Sequence, residues 1–349
     1  MGVNLTPITV RKTLSLDDLR GKSLAVDASN YLYQFLSLVR TRDGTPLKDS
    51  SGNVTSHLSG LAFRSTRLML DFDMGLVFVF DGPPPDLKRR EIQKRREKRE
   101  RAHREWQQAL KTGDYDKAFS KAVVTSRLAP SMIEDAKKLL TLLGIPHVQA
   151  PSEAEAQAAY MAGQGSVWAA SSKDYDSLLF GAPRLLRFLT IKGQEYLPSL
   201  GVARPLKPEL ITLNQFLVHH GITRSQLVDL AILVGTDFNE GIKGVGPKTA
   251  LKLVKKHGRL ENLPSKLFSK IPVQYNEVRD IYLHPATTPE CNLAYGHLQE
   301  EELFDFLCTQ RNFAPKRVET VVQRMQKFYR SKKQTRLENW FSRAASAPP

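Results

Sequence analysis

The stretch Gly75-Leu76-Val77-Phe78-Val79-Phe80-Asp81-Gly82 is an apolar run, rich in β-branched and aromatic residues, that ends on an acid and a glycine. Such a run predicts a buried strand. With comparable runs on either side, it predicts strands near Ser23–Asp27, Gly75–Asp81, Ile145–Gln149, Ser166–Ala170 and Leu185–Leu189. The intervening segments carry apolar residues at helical spacing. This alternation is typical of an α/β fold with a mostly parallel central sheet flanked by helices.

The segments between the predicted strands divide the chain into regions. Helical spacing predicts helices over Tyr31–Arg40, Leu58–Leu70, Ser131–Leu143 and Ser152–Ala162. Past Thr223 the sheet pattern gives way to helices alone. We expect an N-terminal region over 1–120, an internal region over 121–330 and a flexible C-terminal tail over 331–349.

Composition and charge narrow the classes of function. The chain has 349 residues, of which 41% are hydrophobic, and a formal net charge of +15. This is enough apolar material for a core, and the positive charge predicts a polyanionic partner, nucleic acid first and an anionic membrane second. The longest purely apolar stretch, Leu76–Phe80, is far shorter than the roughly 20 residues of a membrane span. We therefore expect no membrane span and no secretory signal.

Cysteine content limits the metal chemistry. Cys291 and Cys308 are the only two cysteines, too few for a disulfide framework or a thiolate zinc site, which indicates a reducing compartment. Any metal is therefore expected on oxygen or histidine ligands.

A strongly basic segment, Lys88–Arg104, separates one predicted strand from the next core helix. It contains ten Lys or Arg residues against three Glu, a net charge of +7 over 17 residues. A solvated basic helix is the simplest interpretation. Its position directly after a strand also favours a functional role, because ligands of open α/β sheets bind outside the carboxyl ends of strands.

Seven acids follow apolar runs, each at the end of one predicted element or the start of the next: Asp27, Asp81, Glu153, Glu155, Asp174, Asp176 and Asp237. Singly they could be structural, since Ser152-x-x-Glu155 also matches a capping box and Asp174 or Asp176 could cap a helix. Together they would repel one another at one sheet edge unless cations neutralised them.

Two divalent cations fit such a cluster, because hard cations prefer carboxylate oxygens. Two ions about 4 Å apart can clamp both the attacking and the leaving oxygens of a phosphodiester. A nuclease is the function that the acids favour.

The stretch Ile242-Lys243-Gly244-Val245-Gly246-Pro247-Lys248-Thr249-Ala250 places two glycines before a helix predicted to begin near Pro247. It matches a helix-hairpin-helix pattern over about 228–258, which would hold duplex backbone through amides without reading sequence. A tight helix–helix turn without a ligand is the alternative. The candidate DNA contacts are Gly244, Gly246, Lys248 and Thr249.

Near the C-terminus, Gln334-Thr335-Arg336-Leu337-Glu338-Asn339-Trp340-Phe341 sets apolar residues into an otherwise polar segment. Apolar anchors in a flexible segment predict docking into a partner's groove. An amphipathic turn packed on the chain's own domain is the alternative. The candidate contacts are Gln334, Leu337, Trp340 and Phe341.

These segments together resemble the flap endonucleases of the 5′-nuclease superfamily, in particular the archaeal-type enzymes. The likeness spans nearly the whole chain and rests on motifs in family order: Val26-Asp27-Ala28-Ser29, Thr55-Ser56-His57-Leu58, Val79-Phe80-Asp81-Gly82, Pro151-Ser152-Glu153-Ala154-Glu155-Ala156, Gly235-Thr236-Asp237, the glycine hairpin and the Gln-x-x-Leu-x-x-Trp-Phe box. It implies a PIN-like nuclease core, a helical arch over about 83–128 and cleavage of 5′ DNA flaps, with 5′–3′ exonuclease activity.

The resemblance also implies residue roles. The seven acids would hold two Mg²⁺ ions, for which Mn²⁺ could substitute. Lys88 and Arg95 would stabilise the scissile phosphate. Tyr33 would stack on the base beside the cleaved bond, although a core aromatic at helical spacing is the alternative for Tyr33.

A K⁺ ion at the glycine hairpin is a further implication. Carbonyls near Gly241, Ile242 and Val245 would hold it, but eukaryotic members carry a serine where this chain has Gly241. The box at 334–341 would dock on the sliding clamp, PCNA. The implied setting is Okazaki fragment maturation and long-patch base excision repair on chromosomal DNA inside the cell, in archaeal cytoplasm or a eukaryotic nucleus, by a monomer.

The N-terminal Met1-Gly2-Val3-Asn4-Leu5-Thr6 formally matches an N-myristoylation signal. In flap endonucleases Met1 is removed and Gly2 lies beside the active site, so the resemblance implies a catalytic setting for Gly2 and no membrane anchor. Two other functions stay open: a sister 5′ nuclease acting as an exonuclease or on bubbles, and a non-catalytic clamp-tethered binder of DNA junctions.

Overall fold

The computed structural model describes residues 2–41, 43–189, 194–197 and 202–345, with side chains throughout except in 194–197, 202–205 and 333–345. Its strands are β1 (Lys12–Thr13), β2 (Ser23–Asp27), β3 (Gly75–Phe80), β4 (His147–Gln149), β5 (Ala169–Ser171), β6 (Arg184–Arg187), β7 (Gln194–Leu197), β8 (Val202–Pro205) and β9 (Glu209–Thr212).

Helices surround these strands. They are α1 (Ala28–Leu38), α2 (Ser56–Phe72), α3 (Arg89–Lys111), α4 (Tyr115–Val124), α5 (Pro130–Leu142), α6 (Ala154–Gly163), α7 (Asp176–Leu179), α8 (Leu213–His220), α9 (Arg224–Val234), α10 (Pro247–His257), α11 (Ser265–Phe268), α12 (Tyr275–Leu283), α13 (Glu300–Phe304) and α14 (Pro315–Ala345).

A seven-stranded sheet forms the centre of the protein, in the order β1-β9-β6-β5-β2-β3-β4. Strands β4, β3, β2, β5 and β6 pair in parallel, whereas β9 runs antiparallel to β6 and β1 antiparallel to β9. The prediction of a mostly parallel sheet flanked by helices is confirmed. The antiparallel strands β1 and β9 and the separate β7–β8 hairpin were not predicted.

The two faces of the sheet are buried in two hydrophobic clusters. In β2, Leu24 and Val26 belong to one cluster and Ala25 to the other, and β3 alternates in the same way. Side chains of a strand point to opposite faces in turn, so both layers of helices pack on apolar residues. Helices α6 and α9 cover one face; α1, α2, α5 and α14 cover the other. This is a sheet between two helical layers.

The basic segment forms the first of two arch helices. Helix α3 carries its positive charge and packs against α4, with Ala102 and Ala109 buried against the region of Ala118 and Ala122. Small residues let the two helices approach closely, and most basic side chains of α3 are exposed. We call α3 and α4 the arch.

The division of the chain into three regions stays a prediction; two of its boundaries fall inside helices. The boundary between residues 120 and 121 falls inside α4, and both hydrophobic clusters draw on residues from either side of it. Helix α14 continues past Ser331 to Ala345, through a stretch free of proline and glycine. No helix in the described part of the chain is both long and apolar enough for a membrane span.

Candidate active site

Two parallel strands deliver carboxylates to the same edge of the sheet. Asp27 ends β2, and Asp81 directly follows β3. An oxygen of Asp27 accepts from the Asn30 amide 3.0 Å away and caps α1. An oxygen of Asp81 accepts from the Ala154 amide, 2.9 Å away, in the first turn of α6. Both acids therefore bind helix amides while their side chains stay at the sheet edge.

The other five acids come from element starts near this edge. Glu153 and Glu155 lie at the start of α6, Asp174 and Asp176 follow β5, and Asp237 follows α9. The capping alternative is not observed for α6, because its N-cap residue makes no side-chain cap and the Ser152 hydroxyl donates to the Pro83 carbonyl. Asp176 likewise lies inside α7 and not at its cap.

One cavity of about 770 Å³ brings most of these groups together. Its lining includes Asp27, Asp81, Glu153, Glu155, Asp174, Asp237, Lys88, Arg95 and Tyr33. Asp176 is buried next to this set: its charge raises the pKa of Glu155, and its own pKa is raised by Asp237. The seven acids, which are far apart in the sequence, thus lie together in one cluster.

Burial and mutual repulsion disfavour negative charge in the cluster. Burial, with the charge of Asp81, raises the pKa of Asp27 to about 8. Burial, with the charge of Asp237, raises the pKa of Asp176 to about 8. Burial raises the pKa of Glu155 well above its ordinary value. Cations would relieve this repulsion, and a set of carboxylate oxygens suits hard divalent ions.

Two cations pair with the carboxylates: Lys88, directly before the arch helix α3, and Arg95 within it. The Lys88 ammonium forms an ion pair with Glu153 and lies 3.6 Å from an oxygen of Asp237. Burial alone would raise the pKa of Asp237, but Arg95 and Lys88 beside it lower it below its ordinary value. Burial alone would lower the pKa of Lys88, but its pairing with Glu153, and to a smaller extent with Asp237, raises it above its ordinary value. Among the described residues, no three acid, imidazole or thiol side chains converge into a preassembled metal site.

Tyr33 faces the cavity under the arch. It is half-buried, and its hydroxyl accepts from Arg99 of α3 at 3.4 Å. Its neighbours Tyr31 and Phe35 are buried in the core. The alternative of a core aromatic therefore applies to those two residues and not to Tyr33.

The N-terminal segment passes directly beside Asp176. The Val3 amide donates to an oxygen of Asp176 at 3.1 Å. A Cβ atom at Gly2 would lie 2.3 Å from the same oxygen, so only glycine fits there without displacing the carboxylate. Gly2 thus lies at the carboxylate cluster.

The glycine hairpin has the geometry of a phosphate or ion cradle. Helix α10 begins at Pro247, as predicted, and Gly244 adopts a left-handed φ of 86°. Gly244, Gly246, Lys248 and Thr249 are all exposed. Their exposure leaves the N-terminal amides of α10 accessible to an anion.

The position of Gly241 explains why this chain lacks a serine there. A Cβ at Gly241 would lie 2.1 Å from the carbonyl oxygen of Val234, at the end of α9. The close approach of the two backbones excludes any side chain. An ion at this hairpin would depend on carbonyl ligands alone.

Sequence reasoning missed several polar neighbours of the acids. Asn30 donates to Asp174 at 3.4 Å, Ser172 to Asp27 at 3.4 Å and Ser177 to Glu155 at 3.3 Å. Each lies within three residues of an acid in the cluster, which was the available signal. The arch residue Lys94 also pairs with Glu240, a contact between distant segments that no local pattern indicates.

The residues Gln334, Leu337, Trp340 and Phe341 lie on the last helix, but their side chains are outside the described residues. The docking prediction for them stays a prediction.

Family models match both halves of the nuclease-like part of the chain. The XPG N-terminal domain matches residues 2–102, and the XPG I-region matches residues 144–237. These two matches include all seven acids of the cluster.

Curated relatives align along almost the whole chain. Flap endonuclease 1 of Pyrococcus furiosus is 48% identical over 344 residues, covering 98% of this chain and 100% of the relative. Flap endonuclease 1 of Pyrococcus abyssi is 48% identical over 342 residues, covering 98% of each.

Solved structures agree with the fold. Flap endonuclease-1 from Methanococcus jannaschii superposes with a TM-score of 0.74 at 38% identity, covering 95% of this chain and 100% of that one. The catalytic core of Rad2 in complex with DNA substrate superposes with a TM-score of 0.68 at 25% identity, covering 92% of this chain and 97% of that one.

Proposed function

This chain belongs to the flap endonuclease family, and from that premise we propose that its carboxylate cluster binds two divalent metal ions at the scissile phosphate of a DNA flap. The protein is a structure-specific flap endonuclease that hydrolyses DNA phosphodiester bonds. Divalent metal ions are the cofactors of this family, and branched or flapped DNA is the partner. The observation that carries the metal proposal is the cavity lined by six acids beneath a basic arch.

The ligand groups of the two ions would be Asp27, Asp81, Glu153, Glu155, Asp174, Asp176 and Asp237. Their donor set suits Mg²⁺, with Mn²⁺ as a substitute, because all of them offer hard oxygen ligands. When bound, two such ions supply charge stabilisation to the attacking and leaving oxygens of the phosphodiester. Asn30, Ser172 and Ser177 orient individual carboxylates by hydrogen bonds.

Lys88 and Arg95 would bind the scissile phosphate. In the protein alone they pair with Glu153 and Asp237, so the same side chains that neutralise the acids can turn to an incoming phosphate. Cations fixed beside a phosphoryl group stabilise the charge that develops in the transition state. Gly2 leaves room for Asp176, and Tyr33 would stack on the base next to the cleaved bond.

Duplex DNA would be held at the glycine hairpin. The exposed backbone around Gly244 and Gly246 and the side chains of Lys248 and Thr249 suit phosphate contacts. Nearby Lys252, Lys255 and Lys256 are exposed and basic as well. We propose a K⁺ ion here, bound by carbonyls near Gly241, Ile242 and Val245.

Selectivity would come from the shape of the DNA. A nick or flap junction bends and unpairs at low energetic cost, and intact duplex does not, so a protein without base-specific contacts can discriminate between them. The 5′ single strand would pass beneath the arch. We propose that the enzyme also degrades 5′ ends as an exonuclease.

The cellular role would be removal of 5′ flaps in Okazaki fragment maturation and long-patch base excision repair. The enzyme would act as a monomer on chromosomal DNA inside the cell, in archaeal cytoplasm or a eukaryotic nucleus. Gln334, Leu337, Trp340 and Phe341 would tether it to the sliding clamp, PCNA.

The proposal is tested with a labelled double-flap DNA that carries a 5′ flap and a one-nucleotide 3′ flap. Wild type and Asp176→Ala are compared in Mg²⁺ and in excess chelator, alongside bubble and nicked substrates. We expect a single cut near the flap base, lost with chelator or Asp176→Ala while DNA binding persists. Binding without Mg²⁺-dependent cutting would mean that the acids are structural, and preferential cutting of bubbles would indicate a sister nuclease.

A further inference from the structure

Phe188, at the end of β6, adopts a backbone conformation that its residue type disfavours. Its φ angle is 59°, in the left-handed region, where a bulky non-glycine residue is an outlier. Strain of this kind persists only where the surrounding structure enforces it, and it is common at ligand sites.

The side chain of Phe188 is not packed in the hydrophobic core. It is half-buried, and among the described residues neither hydrophobic cluster includes it. Instead it lines the same cavity as Tyr33, Asp174 and the other clustered acids, and Leu189 and Leu206 are apolar residues of that lining. The strained backbone thus places an aromatic ring in the candidate active site.

A buried arginine fixes the ring from one side. The guanidinium carbon of Arg187 lies 4.3 Å from the Phe188 ring centroid and 3.9 Å from that of Tyr175. Arg187 also donates to the Lys173 carbonyl at 2.9 Å and to the Tyr175 hydroxyl at 2.6 Å. Arg187 also pairs with Glu209 at 3.3 Å, so three hydrogen bonds and a second ring make it a rigid support for Phe188.

We propose that Phe188 contacts substrate: its ring packs against a nucleobase of the strand that is cut, at one of the two nucleotides that flank the scissile phosphate. The inference rests on the proposed nuclease function. If the acids of the cavity face the scissile phosphate, the bases that share their cavity are those of the two nucleotides on either side of it. An aromatic ring accepts every base, since each has a π-face. Such a contact strengthens substrate binding without a preference for sequence.

The test compares intact double-flap DNA with the same DNA made abasic at either flanking nucleotide. Phe188→Leu removes the ring and keeps an apolar side chain, whereas Phe188→Asn removes the ring and is a residue type that tolerates the left-handed backbone. Phe188→Tyr keeps the ring. Phe72→Leu is the matched control, because Phe72 is also half-buried against an arginine but lies at the opposite end of the sheet strands.

On intact DNA we expect Phe188→Leu and Phe188→Asn to lower kcat/KM on the order of tenfold, from the usual worth of one base–aromatic stack. Phe188→Tyr and Phe72→Leu should stay close to wild type. On DNA that lacks the contacted base, wild type should fall to the level of Phe188→Leu, and the variant should lose nothing more. If Phe188→Leu lowers kcat/KM by the same factor on intact and on abasic DNA, the proposal is overturned, because the ring would then act only through Arg187.

A binding measurement separates this inference from the nuclease function. The adenine analogue 2-aminopurine is placed at each flanking nucleotide, and its fluorescence is followed on binding in chelator. Because Tyr33 is proposed to stack on one of these bases, the diagnostic signal is quenching that depends on Phe188: we expect it at one position, lost in Phe188→Asn and kept in Phe188→Tyr. Unchanged quenching in Phe188→Asn would overturn the base contact even if wild type cuts DNA, and a wild type that does not cut but shows Phe188-dependent quenching would overturn only the nuclease function.

Discussion

One nitrogen of the Arg95 guanidinium, Nη2, lies 2.8 Å and 2.7 Å from the two oxygens of Asp237. Asp237 is nearly buried, with 8% of its surface exposed. Arg95 comes from the arch and Asp237 from the segment after α9, so this pair closes the arch over the acids. A divalent ion bound by Asp237 must share that carboxylate with Arg95 or displace it.

Replacement of Arg95 should therefore change metal binding and catalysis in opposite directions. We expect Arg95→Gln to tighten Mg²⁺ binding several-fold, because a competing positive charge is removed. The cleavage rate should fall on the order of 10²–10³-fold, because a transition-state cation is lost. Calorimetric titration of Mg²⁺ and single-turnover cleavage measure the two effects.

Arg96→Gln is the matched control, since Arg96 lies next to Arg95 but, among the described residues, forms its ion pair with Glu100 of its own helix, in an exposed position. It should leave Mg²⁺ affinity nearly unchanged. Weaker Mg²⁺ binding in Arg95→Gln would contradict a competition between Arg95 and the metal.

A serine at position 241 should damage the hairpin. The Cβ of Gly241→Ser would lie 2.1 Å from the Val234 carbonyl oxygen, so the backbones must separate at a cost of about 1–3 kcal/mol. We expect lower resistance to urea and weaker binding of duplex DNA in K⁺. Gly163→Ser is the control, because a Cβ there meets no atom within 4 Å. Equal effects of the two substitutions would contradict the close approach at Gly241.

His57 predicts a pH-dependent stability. It is fully buried, and neither ring nitrogen has a hydrogen-bond partner among the residues that the structure describes. Burial lowers the pKa of His57 to about 4, below its ordinary value. The unfolded chain therefore takes up this proton first, so the stabilisation is complete above about pH 6.5 and is lost as pH falls toward 4.

The measurement is urea unfolding of wild type and His57→Phe. Between pH 7.5 and pH 5, wild type should lose about 2 kcal/mol more than the variant. His297→Phe, at an exposed histidine, should follow wild type. Parallel curves for wild type and His57→Phe would mean that His57 has an ordinary pKa in the folded protein.

The clamp-binding box should be separable from catalysis. We expect Trp340→Ala with Phe341→Ala to abolish retention on immobilised sliding clamp, because the aromatic pair supplies the apolar anchors. Cleavage of flap DNA without the clamp should stay within twofold to threefold of wild type. Glu338→Ala, inside the same segment, serves as the control. Loss of intrinsic cleavage in the double variant would place the two aromatics in the protein's own fold.

The central strands could be predicted because burial on both faces leaves a visible apolar run. Ser23–Asp27 was predicted with its observed bounds, and the run from Gly75 was one residue too long. The antiparallel strands β1 and β9, over Lys12–Thr13 and Glu209–Thr212, are short and pair through backbone hydrogen bonds with distant segments. Their side chains carry no period that a single sequence could reveal.

The acids of the site could be predicted for a similar reason: each follows an apolar run, and parallel strands end at one edge. The residues that pair with those acids could not be predicted from the sequence. The pairing of Arg95 with Asp237 joins positions 142 residues apart, and it depends on how the arch folds back. The left-handed backbone of Phe188 is likewise a product of tertiary structure, because phenylalanine itself disfavours it.

The last helix has a consequence for how the protein is made. Val318, Met325 and Phe328 of α14 are buried in the same cluster as Leu24 and Val26 of β2. The first long strand to leave the ribosome therefore cannot complete its packing until residue 328 has followed it. Until then the sheet keeps one apolar face partly uncovered. A nascent chain that stalls after residue 237, where the second family match ends, and before α14 is made would therefore be a substrate for chaperones.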